Sequence, residues 1–578
     1  MPQLLSEDYS DIVRLLRARS SLQPTRLAFS FLDDRTLSGR EISYAELDFQ
    51  ARRVAAELLA LNLGGERAVL LFQPSAEYIF AMIGCWYAGV TAVPIFAPRM
   101  NASVERVRAI VANADARIML SNSNVISTLS APEWDDLVSA GLVMIATDSI
   151  DDAIADAWQM PEISPHTLAV LQYTSGSTGT PKGVRLQHKH LMVNSRMIAR
   201  NMQTDSSSVG VVWIPPYHDM GLIGGIVQPF YTGFPIYLMV PASFLQRPMR
   251  WLEAISLYRG THTAAPNFAY DLCVKRAKPE QIPALDLSCL RMAGNGAEPI
   301  RAETLHRFID TFAPAGFDPR AFFPCYGMAE TTLYVSGNQV MRGLKTLQVA
   351  RHTLATGTVM ASADGELELV SSGVPDIEIE VAIVDPLTQL RCSSGEVGEI
   401  WVAGETVADG YWNRPDVTAE TFAARLADSS HNWLRTGDLG ALVDGEIYVT
   451  GRIKDLIVIR GHNHYPQDIE ATVQLAHAAV KAHGVAAFSL ETEEGESIGL
   501  VVELERGKFQ GETSEIEAAI RNAMSQAHQL APASITFVKP NRIPKTSSGK
   551  IQRLQARDML LDGRFAQVSL AQADTEEV

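Results

Sequence analysis

One segment gathers the residue types that a phosphate group needs. The apolar run LAVLQY leads into Thr174-Ser175-Gly176-Ser177-Thr178-Gly179-Thr180-Pro181-Lys182-Gly183. Small residues let a backbone approach phosphate oxygens, while hydroxyls and N–H groups donate to them. Lys182 adds a compact charge suited to a departing polyphosphate. Pro181 before the lysine and the glycine spacing exclude a Walker loop. A flexible Gly/Ser hairpin is the plain alternative. An unbroken Gly, Ser and Thr run closed by Pro-Lys-Gly, placed directly after a buried strand, points instead to phosphate.

Three further stations carry chemistry. In Phe323–Glu330, Tyr326 offers a planar ring to a purine and Glu330 an oxygen ligand for Mg2+ held with ATP phosphates. In Arg435-Thr436-Gly437-Asp438, the carboxylate suits a ribose cis-diol. Near the C-terminus, Pro544–Lys550 presents Lys545 and Lys550. This segment resembles the lysine-bearing loop of the adenylate-forming superfamily, which implies a lysine bridging an attacking carboxylate and an α-phosphate and lowering the repulsion between the two anions. Lys550 is read in that role and Lys545 as part of a solvated face. The pair His462 and His464, with no cysteine nearby, is weak evidence for a metal and reads as a surface turn before Pro466.

The elements that must position these residues show as alternating β-rich and helical runs, such as RAVLLF then SAEYIFAMIGCWYAG, and VGVVWIPPYH before GLIGGIVQPF. They predict a largely parallel sheet. From about Pro375 short strands with turn signals predict a small antiparallel region, and after Gly451 three strands surround a helix. The 578 residues are too many for one core. A net charge of −17 argues against a nucleic-acid partner. Five widely spaced cysteines offer neither a disulfide framework nor a paired zinc pattern, which fits a reducing compartment. The N-terminus lacks a signal-type apolar run. The uncharged stretch Tyr78–Pro98 changes texture near Gly89, so a buried helix then a buried strand is expected rather than a membrane span. A cytoplasmic protein follows.

The run YTSGSTGTPKGV at Tyr173–Val184 resembles the adenylate-forming superfamily, which includes acyl-CoA synthetases, adenylation domains of peptide synthetases and luciferases. Further motifs follow in the expected order over nearly the whole chain. The resemblance implies ATP and Mg2+. Thr174, Ser175, Gly176, Ser177, Thr178, Gly179 and Lys182 would hold phosphates, with Thr178 and Glu330 on the metal. Asn295, Gly296, Ala297 and Glu298 would pack beside adenine with Tyr326, Gly327, Met328 and Ala329. Asp438 and Arg452 would take the ribose, His218 of Tyr217-His218-Asp219 would gate the substrate carboxylate, and Lys454 would be the hinge. The implied fold is α/β: residues 1–453 form βαβ subdomains plus a small β-barrel-like subdomain, and 454–578 a mobile α+β lid.

Two features resemble the fatty acyl-AMP ligase branch. One is the wording of GRIKDLIVIRGHNHYPQDIE and GEIWVAGETVADGYWNRPDVTAETF; the other is a long connection, an insertion at about 336–366. In that branch the insertion restricts the CoA-using conformation, and the acyl group goes to a phosphopantetheine-bearing carrier protein. Here the carrier would act in trans, with Arg542, Lys545, Lys550 and Arg553 as a basic docking patch for it. A long-chain acyl-CoA ligase is the first alternative, and the insertion is what separates it. A catalytically dead scaffold that binds acyl groups is the second, opposed by Lys182, Glu330, Asp438 and Lys550 together. An amino-acid adenylating enzyme would want an acidic residue near Ala265–Tyr270, which reads as an apolar tunnel wall.

Overall fold

The computed structural model describes residues 5–96, 105–128, 136, 138, 141–174, 181–459, 462–492, 495–505, 508, 513–546 and 549–565. A six-stranded sheet runs Val143–Ala146, Ile118–Ser121, Arg67–Phe72, Thr91–Phe96, Leu168–Thr174, Lys182–Gln187 in spatial order. All neighbours are parallel except the last pair. A nine-stranded sheet lies beside it, with six parallel strands (Leu27–Leu32, Ile236–Leu238, Gly210–Val212, His262–Ala265, Met292–Asn295 and Phe322–Gly327) flanked by antiparallel edges. Strands covered on both faces need apolar residues on both faces. RAVLLF meets that demand, being buried from Ala68 to Phe72.

The uncharged stretch from Tyr78 resolves as a helix then a strand. The helix Ala76–Tyr87 is buried all round, and Gly89 at φ +67 turns the chain into Thr91–Phe96. Two polar atoms on this helix find partners across the core. Tyr78 donates to the Pro216 carbonyl at 2.8 Å and Trp86 to the Ala169 carbonyl at 3.0 Å. No helix among the described residues is long and apolar enough to cross a membrane. All five cysteines are free thiols.

The small β region is a four-stranded antiparallel meander, Ile379–Val384, Gly398–Gly404, Leu434–Val443 and Glu446–Arg452, open at its two edges. The C-terminal part packs three strands, Val480–Thr492, Gly495–Leu504 and Ser534–Val538, against the helices Pro466–Ala476 and Thr513–His528. The result is a large N-terminal α/β domain and a smaller C-terminal one. His462 and His464 do not form the expected turn. They lie in a short strand, His462–His464, paired with Ile457–Ile459. Among the described residues no cluster of three or more His, Cys, Asp or Glu is placed to hold a metal.

The connection after Glu330 is built rather than loose. Its strands Thr346–Val349 and Leu367–Val370 pair with each other, and a helical turn Arg351–Ala355 lies between them. Leu354 and Val359 enter a shared core with Leu439, Ala441 and Tyr448 of the meander and Tyr465 of the C-terminal domain. Glu446, buried in the meander, receives Arg342 at 2.8 Å and Lys345 at 3.0 Å from the start of the connection.

Candidate active site

Lys182 lies directly opposite Thr174 at the loop end of the hairpin Leu168–Thr174 and Lys182–Gln187. Ser175, Gly176, Ser177, Thr178 and Gly179, expected to hold phosphate, lie outside the described residues. A strand leading back into a strand, not a helix, distinguishes this loop from a Walker arrangement. The Lys182 ammonium sits 5.2 Å from the centre of the Tyr411 ring. Burial lowers its pKa, and Lys454 nearby adds to that effect while Glu330 opposes it. A phosphate would relieve this crowding of positive charge.

Tyr411 also holds the candidate metal ligand. Its hydroxyl donates to Glu330 at 2.8 Å, and both side chains are buried. Burial pushes the Glu330 carboxyl up, and the Tyr411 bond works against it. The backbone around Glu330 is fixed by the Ala408 N–H, which donates to the Glu330 carbonyl. Buried Asn194 fixes the following turn, donating to the Tyr334 carbonyl and accepting from the Tyr334 N–H. Gly327 has no room for a side chain: a Cβ there would stand 1.7 Å from the Leu333 carbonyl oxygen.

The residues expected to hold the nucleoside lie on four strands. Tyr326 donates to Asp438 at 2.8 Å, and Arg452 donates to its other oxygen at 2.8 Å. Asn295 is fully buried at the end of its strand, and its side-chain oxygen has no hydrogen-bond partner. An orphaned buried acceptor costs stability unless a ligand donor meets it, and an adenine amine is such a donor. Ala297 sits at φ +66 in the turn that follows. Glu298 accepts from the Phe268 N–H at the start of helix Asn267–Arg276, so its carboxylate anchors that helix. Met328 and Ala329 line the same strand end, with Ala329 buried.

The Tyr217–His218 segment is braced by the helix Ala76–Tyr87 and by the six-stranded sheet. Tyr78 grips the Pro216 carbonyl, and Gln172 donates to the Tyr217 carbonyl at 2.7 Å. The chain then winds into a π-helical stretch, Met220–Val227, with Asp219 accepting from the Met220 N–H at 2.7 Å. Such a wide turn is a frequent companion of functional sites. Gly221 permits it, since a Cβ would meet the Pro215 carbonyl at 2.1 Å. Burial lowers the His218 pKa to about 4, Asp219 opposing and Lys550 adding to the effect. The imidazole is therefore neutral at neutral pH.

Lys550 belongs to the C-terminal domain yet reaches this site. Burial and Arg452 lower its pKa, while Asp219, Asp438 and Glu298 all pull it up. His218, Asp438 and Lys550 thus share one electrostatic neighbourhood spanning both domains.

Two expectations about the basic residues need correction. Lys545 is not a solvated charge: its ammonium donates to the His483 carbonyl at 2.7 Å, and burial lowers its pKa. Arg553 pairs with Glu470 at 2.8 Å and Asp455 at 2.6 Å. Of the four residues read as a carrier-docking patch, only Arg542 is exposed. Their partners lie far off in sequence, which is why a local run of charge misread them. Sequence reasoning also missed Tyr411 and Arg414. Arg414 contributes to the positive field at Lys182. The signal was present in GYWNRPD, used only as a family resemblance.

A family model described as AMP-binding enzyme matches residues 16–412, and one described as Disco-interacting protein 2-like, AMP domain matches residues 454–569. JamA of Moorena producens, a medium-chain-fatty-acid–[acyl-carrier-protein] ligase, is 43% identical over 97% of this chain and 96% of its own. A putative fatty-acid–CoA ligase of Mycobacterium tuberculosis, fadD25, is 35% identical over 97% and 99%. A solved fatty acyl-adenylate ligase of L. pneumophila, in complex with acyl adenylate and pyrophosphate, superposes with a TM-score of 0.77 at 38% identity, covering 97% of this chain and 98% of that one.

Proposed function

The chain belongs to the AMP-binding enzyme family, and from that membership we propose that it is a fatty acyl-AMP ligase. A medium- or long-chain fatty acid and ATP give acyl-AMP and pyrophosphate. The acyl group then passes to the phosphopantetheine thiol of an acyl carrier protein. The observation that carries this reading is Lys550, brought from the C-terminal domain into the field of Asp219, Asp438 and His218.

In the first step a carboxylate oxygen attacks the α-phosphorus and the bond to the bridging oxygen breaks, its electron pair leaving with pyrophosphate. Lys550 supplies positive charge where the two anions meet. His218, neutral at neutral pH, lines the approach of the carboxylate without adding charge there. Lys182, with Lys454 and Arg414 nearby, receives the charge growing on pyrophosphate. Asn295 accepts from adenine, the Tyr326 ring packs against the purine, and Asp438 takes the ribose hydroxyls beside Arg452. Glu330, with Thr178 as the second sequence-based ligand, would hold Mg2+, which when bound neutralises phosphate charge. The free thiols fit a reducing compartment, and we place the enzyme in the cytoplasm.

The second step requires the C-terminal domain to turn. Arg452 is tied to Asp438 in the large domain, whereas Asp455 is tied to Arg553 in the small one. Only Ile453 and Lys454 separate these two anchors, which supports a domain boundary and hinge there. The insertion at about 336–366 shares a core with Tyr465, Ile453 and Leu456. That packing supports a restricted lid, and hence a carrier rather than free CoA. The CoA-ligase reading has its own support in the relative named as a putative fatty-acid–CoA ligase.

Single-turnover incubation with Mg·ATP and radiolabelled fatty acid, followed by CoA or holo-carrier protein, tests both. Acyl-AMP that ignores CoA and passes to the carrier is the expected result. Prompt acyl-CoA formation would establish the CoA ligase, and no adenylate from any acid would leave a scaffold.

A further inference from the structure

A charged junction outside the nucleotide site joins the two domains. Asp271, buried on helix Asn267–Arg276, accepts from Lys275 one turn on at 2.6 Å and from Arg307 at 2.6 Å. Its third donor comes from the C-terminal domain, His483 Nε2 at 2.8 Å. Burial alone would raise the Asp271 carboxyl, but the His483 and Lys275 bonds hold it well below the usual carboxylate range.

His483 has an uncommon backbone. It sits at φ +53, in the left-handed region, where the pairing register of Val480–Thr492 shifts between Val480 and Val485. Histidine is among the side chains that tolerate this region, though few non-glycine residues adopt it. Gln474 accepts from the His483 N–H at 2.8 Å, and the His483 carbonyl accepts from Lys545 at 2.7 Å. Lys545 in turn bridges to Ile551, closing the turn that carries Lys550. That turn rests on the large domain: a Cβ at Gly549 would lie 3.6 Å from Phe268, on the same helix as Asp271.

Resting on the proposed function, we propose that His483 is a positioning residue for acyl-adenylate formation. Its ring clamps the C-terminal domain to Asp271, and its carbonyl holds Lys545, so the Lys550 turn is fixed over the site. The clamp is built to release. When His483 departs, Lys275 and Arg307 still neutralise Asp271, so no buried carboxylate is left unpaired. The ring therefore serves the first half-reaction and is absent from the second.

His483→Gly tests this without backbone strain, since glycine accepts φ +53 and keeps the carbonyl that holds Lys545. His483→Gln restores a side-chain N–H for Asp271, and Asp271→Asn keeps an acceptor but not its charge. Single-turnover acyl-AMP formation and transfer from preformed acyl-AMP to holo-carrier protein are measured separately on full-length, folded enzyme. His483→Gly slows adenylate formation about ten- to hundredfold, the scale of one charge-assisted hydrogen bond, and leaves transfer unchanged. His483→Gln recovers most of the loss, and Asp271→Asn slows the first step alone. Equal slowing of both steps, or of neither, overturns the inference while the function stands. A wild-type enzyme that forms no adenylate overturns both.

Discussion

Tyr411→Phe removes a single hydroxyl from the site, and its consequences can be worked through. That hydroxyl donates to Glu330 at 2.8 Å, with Tyr411 7% and Glu330 8% exposed. Burial raises the Glu330 carboxyl and the Tyr411 bond restrains it. Without the bond the raised value goes higher, so the neutral acid persists to higher pH and the acid limb of adenylate formation moves up. A hydrogen bond to a charged group is worth about 1.5–3 kcal/mol, or roughly a ten- to hundredfold loss of the ionised form on the acid limb. At a fixed pH on that limb, the Mg2+ needed for half-maximal rate rises by about the same factor. The phenyl ring remains under Lys182, so contact with that lysine survives. The assay is single-turnover acyl-AMP formation against pH and against Mg2+. An acid limb and a Mg2+ dependence both identical to wild type would refute the assignment of Glu330 as the metal carboxylate.

Two other outcomes are expected. Leu354→Ser with Val359→Ser opens the apolar contact between the insertion and Tyr465; acyl-CoA formation from free CoA should rise while acyl-AMP formation holds, and no gain with CoA would detach the insertion from acceptor choice. Burial raises Glu446, but bonds from Arg342, Ser371 and Lys345 outweigh it and depress its pKa. Its stabilising effect is therefore full above the ordinary glutamate range and fades as pH falls through the depressed folded value. Glu446→Gln should cost about 3 kcal/mol at neutral pH and flatten the decline of Tm on acidification, and an unchanged acid slope would contradict the pairing.

Much of this architecture can be read from local pattern. RAVLLF and LAVLQY are short, apolar and bounded by turn residues, so their place in a parallel sheet follows from what buried strands require. The change from helix to strand after Gly89 shows in the switch from SAEYIFAMIGCWY to TAVPIF. What local pattern hides is pairing at a distance. Lys545 and Arg553 look like one basic face, yet Lys545 donates to the distant His483 carbonyl and Arg553 is paired with the distant carboxylates of Glu470 and Asp455. The run GLIGGIVQPF reads as an ordinary helical run, whereas it begins as a wider π-helical turn in which Gly221 approaches Pro215 closely. His462 and His464 pair in a strand because Ile457 and Ile459 need an antiparallel neighbour. Among site residues, Tyr326, Asp438 and Lys550 do converge; Tyr411 escaped notice because an aromatic ring carries no chemistry of its own until Glu330 is set beside it.

On the hinge proposed above, the two ion pairs that bracket Ile453 and Lys454 fix where the C-terminal domain would pivot. One anchor, Arg452, grips the same Asp438 that would face the ribose. A cover hung from its own keyhole moves least at the lock: atoms beside the ribose stay nearly still while the far edge sweeps a wide arc. An adenylate made in the first step need not be let go and caught again for the second. The cost falls on reach, because with four backbone dihedrals and a fixed axle the domain can swivel but cannot slide. Whatever delivers the thiol must come to the nucleotide, since the nucleotide has no means of being carried to it.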